Sequence, residues 1–449
     1  MKRILFAFLV ILGVAPSAAP AAPVILITID GLLPDDILAA EEKGVAVPHL
    51  RRFLKEGAFA RGVEGVLPTL TLPSHTSLIT GVAPARHGIV ANNRFDPREF
   101  DKAGLYLDGS EIKAETLWNA AAKAGLTTAN INWPVSDHAA GIRWNLTGFS
   151  GAHNSGAAAE LKAELERAVG TAFDDPVFAG DLGRDLRSVR FAAAMMALHR
   201  PDFLTVYLTA LDNEEHRKGP DAPDSLAVLE RIDALVGDLL VAVRENYRDA
   251  AVAVVSDHGM QKVNTDRAGV NLYRPFVDAG LIEIDGAGKV TGWTAMPWFT
   301  GGSAAIVLAR TDDGVLVSRV RKLLKAVAAD PGNGIAHVAE KDEIDRLGGN
   351  PAATFYVDLV PGYVTDVSRG PMAPLVGPPP IREKRAPLGG MHGYFPALPA
   401  MRSTFMVMGP DIAAGKDLGT IDIRSVAPTL AKLLDVSMPA AEAPAVDLR

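Results

Sequence analysis

The chain has 449 residues, of which 48% are hydrophobic, with a net charge of −8 and no cysteine. This length fits two or three domains or one large α/β domain with insertions, and the apolar content excludes a disordered or fibrous protein. The acidic balance, without any basic block, argues against nucleic acid as an obligate partner. Without cysteine there are no disulfides or thiolate ligands, so any metal must be bound by Asp, Glu, His and hydroxyl groups.

The N-terminus has the pattern of a secretory signal. Lys2 and Arg3 precede an apolar run from Ile4 to Val14, and Ala19-Pro20-Ala21 provides a small-residue cleavage site. The apolar run is too short to span a bilayer. We therefore expect a cleaved signal over residues 1–21, no stable membrane anchor, and a periplasmic or secreted protein.

A hydroxyl-rich stretch follows the first predicted strand and helix. Residues 67–81 contain four threonines, two serines and a histidine, and their second half has the pattern of a helix. A hydroxyl at the start of a helix is well placed as a nucleophile, because backbone N–H groups and the helix dipole stabilise negative charge there. Taken alone, the stretch is also typical of a capping loop. Asn92 follows Thr71 by 21 residues, and its amide is either a phosphate donor or a turn residue.

Apolar runs at residues 23–29, 203–208 and 251–255 predict strands buried on both faces of a parallel sheet. Asp or His residues follow each run at once, which is the pattern of ligands at the carboxyl edge of an open α/β sheet. These ligands are Asp30 after the first run, Asp212 and His216 after the second, and Asp257 and His258 after the third, with His392 on a later glycine-flanked return.

The helical stretches between these strands are long enough for crossover connections, so the carboxyl ends of the strands should meet. Three Asp, three His and Thr71 would then lie at one edge, which is enough for two divalent ions. A long helix with an apolar stripe is predicted over residues 224–246, whereas residues 150–185 are weakly patterned and predicted to be a surface excursion.

Residues 261–388 differ in character from the rest, with Gly/Pro-rich breaks and a proline-dense loop at 371–387. We interpret them as an inserted α+β cap subdomain. The catalytic part would comprise residues 22–260 and 389–449, folded as an α/β domain with a mostly parallel central sheet flanked by helices. The sequence gives no indication of the oligomeric state.

Together these motifs resemble the alkaline phosphatase superfamily and, within it, the nucleotide pyrophosphatase/phosphodiesterase (type I phosphodiesterase) family. The resemblance is collinear over nearly the whole chain after the signal. The motifs that carry it are Ile29-Asp30-Gly31, Thr71-Leu72-Pro73-Ser74-His75, His87-Gly88-Ile89-Val90-Ala91-Asn92, Asp212 to Pro220, Ser256-Asp257-His258-Gly259 and Gly390-Met391-His392-Gly393.

The resemblance implies an alkaline-phosphatase-like fold, two zinc ions and a small-molecule phosphodiester or nucleotide substrate. It also implies that Thr71 is the nucleophile, and that Asn92 and the backbone N–H of Leu72 bind the phosphoryl oxygens, as an oxyanion hole does. The ligands implied for one zinc are Asp30, Thr71, Asp257 and His258, and those for the other are Asp212, His216 and His392.

Three positions depart from the family pattern. Leu72 stands where the nucleotide-cleaving members usually carry an aromatic that stacks on the base, which is worth about 1–3 kcal/mol. Glu215 replaces a small residue before His216, and the family's Trp-Pro-Gly-Ser-Glu becomes Trp133-Pro134-Val135-Ser136-Asp137. None of these changes affects an implied metal ligand. We expect His75 and His87 to support the geometry of the loops around the site.

Single features of the sequence bear on four alternative functions. Sulfatases need Cys or Ser as nucleophile, where this chain has Thr71. A phosphomonoesterase (alkaline phosphatase) branch uses Thr with an added Lys/Arg pair, and no Lys-x-Arg occurs in residues 143–155, which favours diesters. A phosphonoacetate-hydrolase-like activity stays open, because that branch also pairs Thr with two zinc ions. A non-catalytic binding protein with a decayed site should lack at least one ligand, and none is missing.

Overall fold

The structure of the protein is a computed structural model that describes residues 22–98, 104–148, 159–366, 370–381 and 387–449. The predicted signal at residues 1–21 lies outside this part of the chain. Within the described residues, no helix is both long enough and apolar enough to cross a membrane.

The helices, in chain order, are α1 (Asp35–Leu38), α2 (Ala40–Lys43), α3 (Pro48–Glu56), α4 (Thr71–Thr80), α5 (Pro84–His87), α6 (Leu117–Lys123), α7 (Ala159–Val169), α8 (Gly180–His199), α9 (Ala210–Lys218), α10 (Pro223–Asn246), α11 (Tyr273–Asp278), α12 (Gly314–Ala328), α13 (Lys341–Arg346) and α14 (Val426–Leu433). The strands are β1 (Val24–Ile29), β2 (Ala58–Phe59), β3 (Gly62–Glu64), β4 (Thr128–Ile131), β5 (Trp144–Leu146), β6 (Phe203–Leu208), β7 (Ala251–Val255), β8 (Gln261–Lys262), β9 (Gly269–Val270), β10 (Ile282–Ile284), β11 (Val290–Trp293), β12 (Ala295–Phe299), β13 (Ser303–Leu308), β14 (Ile335–Glu340), β15 (Ala353–Leu359), β16 (Val364–Thr365), β17 (Val376–Gly377), β18 (Gly390–Met391), β19 (Phe405–Met408), β20 (Lys416–Asp417) and β21 (Thr420–Asp422).

The central sheet has eight strands in the order β20-β2-β19-β7-β1-β6-β4-β5. β1 pairs in parallel with both β6 and β7, and parallel pairing continues through β4 to β5. Only β19 is reversed, since it runs antiparallel to β7 and β2. This confirms the predicted α/β fold with a mostly parallel central sheet flanked by helices.

Both faces of this sheet are covered, which explains the continuous apolar runs of its strands. Side chains alternate along β1, so Ile25 and Ile27 pack on one face with residues of α3, α8 and α10. Val24 and Leu26 pack on the opposite face with residues of α4, α6 and α14. The sheet is therefore the middle layer of three, and its carboxyl edge opens between the helix layers.

The predicted surface excursion at residues 150–185 is wrong over residues 159–169 and 180–185, which are helical. Residues 159–169 form α7, and α8 begins at Gly180, inside the predicted excursion. Leu161 and Leu165 are four residues apart, so they lie on one face of α7, where both are buried in the main core. The short apolar stripe is hard to recognise in sequence because Ala, Glu and Lys surround it. Residues 149–158 lie outside the described chain.

Residues 261–388 contain a second sheet of four strands in the order β12-β13-β15-β14, all antiparallel. α12 and these strands contribute to a separate hydrophobic cluster. β8 and β18 pair with each other at the points where the chain enters and leaves this segment. In the described part of the proline-dense loop, β17 pairs with β9.

Asp233 of α10 provides a cap for another helix. α3 begins at Pro48 after Val47, whose side chain cannot accept a hydrogen bond. Instead, the carboxylate of Asp233 accepts from the N–H groups of His49 (3.2 Å) and Leu50 (2.7 Å). The two helices are thus joined by an acceptor that satisfies two otherwise unpaired donors.

Replacing Asp233 with Ala should lower the free energy of unfolding by about 2 kcal/mol, because it leaves two helix N–H groups without an acceptor. Asp233→Asn, which keeps one acceptor oxygen, should lose about half as much. Urea unfolding of the three proteins measures this. Equal stability of the wild type and Asp233→Ala would show that the cap contributes nothing.

Candidate active site

The three candidate ligand aspartates lie at the carboxyl ends of neighbouring strands. Asp30 follows β1 directly, and its N–H donates to the carbonyl of Leu208 at the end of β6 (3.0 Å). Asp257 follows β7, and its Oδ1 accepts from the N–H of Gly31 (3.3 Å). Asp212 lies in the first turn of α9, which begins after β6. The parallel register therefore brings the three carboxylates to one edge, as the sequence predicts.

Asp30, Asp257 and His258 form a first group, in which each residue offers one ligand atom within 4.8 Å of the others. His258 Nε2 lies 3.4 Å from Asp30 Oδ1 and 3.2 Å from Asp257 Oδ2. The same nitrogen lies 3.3 Å from Thr71 Oγ1. The structure thus brings together the four residues that the resemblance assigns to one zinc.

Asp212, His258 and His392 form a second group by the same distance criterion. His216 Nε2 lies 3.3 Å from Asp212 Oδ1, and His392 Nε2 lies 3.7 Å from the same oxygen. The ring of His392 also stacks on that of His258, with centroids 3.6 Å apart. The three residues assigned to the other zinc are thus adjacent, and His258 lies between the two groups.

The first group fits a divalent cation. Burial raises the pKa of Asp30 well above its usual range, and the neighbouring carboxylates of Asp257 and Asp212 raise it further. Among the described residues, histidine nitrogens approach Asp30 Oδ1 and Asp257 Oδ2 at 3.2–3.4 Å, but none makes a well-aligned hydrogen bond to either oxygen. A cation would cancel the repulsion between these buried carboxylates. Carboxylate and imidazole ligands without thiolate suit zinc and similar divalent metals.

Thr71 is the first residue of α4, and all ten residues of that helix are buried. Leu70 before it is extended, with φ −119° and ψ 152°, and has no side-chain acceptor for the first helical N–H groups. These donors are the positive end of the helix dipole. The hydroxyl of Thr71 therefore lies where developing negative charge is stabilised by the backbone.

Asn92 and Leu72 are in direct contact. The backbone N–H of Leu72 donates to Asn92 Oδ1 (2.9 Å), so in this arrangement that N–H is already used. The contact fixes the amide of Asn92 and leaves its Nδ2 as the group able to donate to a phosphoryl oxygen. The side chain of Leu72 is only 1% exposed and packs with Ile89 and Val135.

His75 links the nucleophile to a ligand carboxylate. Its Nδ1 lies 2.9 Å from the carbonyl oxygen of Thr71 and 3.4 Å from Asp257 Oδ2. The rings of Trp133 and Tyr207 pack edge-on against it, at centroid distances of 4.9 and 4.6 Å. The ring is therefore locked in place, and it makes the contacts that its predicted supporting role requires.

Two residues at the site were missed by sequence reasoning. The hydroxyl of Tyr207, in the middle of the buried sheet, donates to Asp30 Oδ2, and burial raises its pKa so that it stays a donor. Asp185 of α8 is fully buried and accepts from the N–H groups of Thr209 (2.8 Å) and Ala210 (3.0 Å), where α9 begins. The available signals were a hydroxyl within an otherwise aliphatic run and a carboxylate on the apolar face of a helix.

Glu215, the departure from the family pattern before His216, lies on the inner side of α9. It is fully buried, and neither carboxyl oxygen has a hydrogen-bond partner among the described residues. Burial raises its pKa well above the usual range, so the neutral acid is favoured. Gly31, at φ +78°, faces it closely, since a Cβ there would lie 3.0 Å from Glu215 Oε2. A larger residue at position 31 would therefore be strained and crowded.

The His392 loop is held from two sides. His392 Nδ1 lies 3.0 Å from the carbonyl oxygen of Thr69, just before the nucleophile. Its own carbonyl accepts from the N–H of Gly302, in the turn between β12 and β13 (2.9 Å). Gly393 has φ +83°, and a Cβ there would lie 1.7 Å from the carbonyl oxygen of Thr300, so only glycine fits. The segment 261–388 therefore positions a candidate metal ligand.

The sequence model of the family described as "Type I phosphodiesterase / nucleotide pyrophosphatase" matches residues 24–394. Human ectonucleotide pyrophosphatase/phosphodiesterase family member 1 is 26% identical over 255 residues, which is 55% of this chain and 24% of the relative. Human bis(5'-adenosyl)-triphosphatase ENPP4 is 26% identical over 254 residues, 54% of this chain and 48% of the relative. The chain thus matches between a quarter and a half of the length of these relatives.

Among solved structures, human ectonucleotide pyrophosphatase/phosphodiesterase 5 superimposes with a TM-score of 0.66 at 20% identity, covering 95% of this chain and 97% of that one. An inactive variant of the murine protein in complex with AMP gives 0.65 at 20% identity, with the same coverage. At this identity the likeness concerns the fold.

His87 supports the loop that leads to Asn92. Its Nδ1 accepts from the N–H of Ile89 (3.1 Å), and its Nε2 lies 3.0 Å from Ser77 Oγ of α4. The ring is fully buried, and burial lowers its pKa to about 3. The folded protein therefore keeps a neutral His87 under conditions where the unfolded chain would protonate it.

This difference predicts a loss of stability in acid. The folded pKa lies below the unfolded value, so the unfolded state binds the extra proton between about pH 6.5 and pH 3, and stability falls as pH falls through that window. Between pH 7.5 and 5.5 the wild type should lose about 1.4 kcal/mol more than His87→Gln. Urea unfolding of both proteins at the two pH values measures this, since contributions common to both cancel. Equal losses would contradict a buried neutral His87.

Proposed function

Because the chain belongs to the type I phosphodiesterase/nucleotide pyrophosphatase family, we propose that it is a two-zinc hydrolase of small-molecule phosphodiester or phosphoanhydride bonds. The reaction would proceed through a covalent phospho-threonine at Thr71. The observation that carries the proposal is the 3.3 Å distance between Thr71 Oγ1 and His258 Nε2. It brings a hydroxyl at a helix N-terminus next to a buried group of carboxylates and imidazoles.

Zinc would be held by the seven residues that lie together at the edge of the sheet. Bound there, the ions would supply positive charge that favours the Thr71 alkoxide and offsets the charge of the phosphoryl oxygens. The assignment is Asp30, Thr71, Asp257 and His258 for one ion and Asp212, His216 and His392 for the other.

The reaction would have two steps, in which the bond from the Thr71 oxygen to phosphorus first forms and then breaks. Its oxygen loses a proton and attacks phosphorus while the bond from phosphorus to one ester oxygen breaks, and the departing oxygen takes up a proton to leave as an alcohol. Water then loses a proton and attacks the same phosphorus, the bond to Thr71 breaks, the Thr71 oxygen takes up a proton, and a monoester is released. The N-terminal end of α4 stabilises charge near the attacking oxygen, and Asn92 Nδ2 donates to a phosphoryl oxygen.

The charge at the site favours diesters. In the structure, histidines are the side chains that pair with the carboxylates of Asp30 and Asp257, so the positive charge for a substrate would come mainly from the metal ions. With two ions and one amide donor, the site would balance the single negative charge of a diester better than the nearly two charges of a monoester. One relative is named as a bis(5'-adenosyl)-triphosphatase, which also cleaves small phosphorylated molecules.

The organisation of the chain follows from the same proposal. Residues 22–260 and 389–449 would form the catalytic part and residues 261–388 a cap, which is supported by the paired strands β8 and β18 at its boundary. The signal pattern at residues 1–21 supports export, with action in the periplasm or outside the cell.

Thr71→Ala should reduce kcat by about a thousandfold or more, because the covalent step loses its nucleophile. Thr71→Ser should retain part of the activity, since it keeps a hydroxyl at the same place. Rapid quenching with a labelled diester should trap phosphate on the wild type and not on Thr71→Ala. If Thr71→Ala turns over at the wild-type rate, a metal-bound hydroxide must be the nucleophile instead.

The reaction class is tested by comparing bis-nitrophenyl phosphate, nitrophenyl phosphate, nitrophenyl sulfate and phosphonoacetate. We expect the largest kcat/KM for the diester. A monoester preference of tenfold or more, about 1.4 kcal/mol in transition-state binding, would assign the protein to the phosphatase branch. Dominant release of phosphate from phosphonoacetate would assign it to the phosphonate branch instead.

A further inference from the structure

The turn after β4 has an unusual backbone conformation. Three residues there that are not glycine have positive φ: Asn132 at +67°, Val135 at +54° and His138 at +54°. For a β-branched residue this conformation is a genuine outlier, because the branched Cβ crowds its own backbone. Such strain persists only where the surrounding structure imposes it.

Hydrogen bonds to the turn impose that conformation on Val135. Asn130 Oδ1 accepts from the N–H of Trp133 (3.0 Å), and Asn130 Nδ2 donates to Ser136 Oγ (3.0 Å). Asn145 Nδ2 donates to the carbonyl of Ser136 (2.7 Å). The residues on both sides of Val135 are therefore fixed from two strands of the central sheet, β4 and β5.

The strained turn places Val135 in the same buried cluster as Leu72, the residue that follows the nucleophile. Val135 is 2% exposed, and it packs in one buried cluster with Leu72 and Ile89. Leu105, Tyr106 and Ile112 are partly buried and pack against this cluster.

The segment that contains Leu105, Tyr106 and Ile112 is joined to the site by a backbone hydrogen bond. The N–H of Tyr106 donates to the carbonyl of Asn92 (3.0 Å), and the guanidinium of Arg94 lies over the Tyr106 ring, 5.1 Å from its centroid. One face of this ring is thus occupied by a cation. Leu72 has no accessible surface on which a planar group could stack.

We propose that Val135 and Leu72 together fill the space beside the nucleophile where a nucleobase could otherwise stack. The enzyme then accepts diesters in which the alcohol that stays on phosphorus is compact, and a nucleobase on that alcohol adds little to kcat/KM. A phosphorus atom attacked by Thr71 would lie next to Asn92, whose Oδ1 accepts a hydrogen bond from the N–H of Leu72. The alcohol that stays on phosphorus would therefore border this cluster. Both residues are positions where the sequence departs from the family pattern. Since they belong to the same buried cluster, the two departures act as one change. This inference rests on the proposed phosphodiesterase activity and names its substrate class.

The test compares two diesters with the same leaving group: methyl 4-nitrophenyl phosphate and thymidine 5'-(4-nitrophenyl phosphate). Only the retained group differs, so the ratio of their kcat/KM values reports recognition of the nucleoside. The wild type should favour the nucleotide by less than tenfold. Leu72→Phe alone should leave this ratio within threefold of the wild-type value, because Val135 fills the space that an exposed phenylalanine ring would need.

Combining Leu72→Phe with Val135→Gly should raise the ratio at least tenfold above that of either single variant. Asn132→Gly is the matched control, since it relieves a positive φ of +67° in the same turn, lies outside the cluster, and loses a side-chain oxygen that has no hydrogen-bond partner among the described residues. It should leave the ratio unchanged. If Val135→Gly does not fold, Val135→Ala repeats the comparison with a shorter side chain.

Two results would overturn the proposal: a nucleotide preference of tenfold or more in the wild type, or a folded double variant with the wild-type ratio. The first would indicate that the contacting rings of Phe95, Trp293 and Trp298 bind the base instead.

Failure of the proposed function looks different, because the wild type would then hydrolyse neither diester. In that case thermal unfolding still tests the packing. Leu72→Phe should lower Tm by several degrees more beside Val135 than in the Val135→Gly background, and additive shifts would refute the contact.

Discussion

Three carboxylates buried at one edge of a parallel sheet are the constraint on which the rest of this structure depends. Asp30, Asp212 and Asp257 are 3%, 9% and 0% exposed, and ionised carboxylates at such short range repel one another strongly when water is excluded. Three histidines and Thr71 border them, so the arrangement is balanced when cations are bound. The chemistry we propose uses that same charge at phosphorus.

The surrounding layers hold this edge by contacts that do not themselves reach a substrate. Tyr207 donates to Asp30 from within the sheet, Asp185 fixes the start of the helix that carries Asp212, and His75 joins α4 to Asp257. The segment 261–388 contributes the N–H of Gly302, which donates to the carbonyl of His392. Each layer of the fold thus determines the position of at least one ligand.

Much of this could be predicted from the sequence, because strand ends and short-range motifs are local properties. The three buried runs and the family are confirmed, and the residues predicted as ligands lie at the expected edge of the sheet, where their role as ligands stays a prediction. Tyr207 and Asp185 could not be predicted, since their partners are 177 and 24 residues away and known only once the layers pack. The burial of the Leu72 side chain was also missed. It depends on Val135, whose positive φ is a conformation that β-branched residues rarely adopt.

Anomalous diffraction from crystals of the zinc-loaded protein, recorded above and below the zinc absorption edge, tests whether this edge of the sheet binds two metal ions. The account predicts two peaks per chain. A single peak, or none at these residues in crystals of active protein, would contradict it. The predicted peaks are bordered by Asp30, Thr71, Asp257 and His258 and by Asp212, His216 and His392.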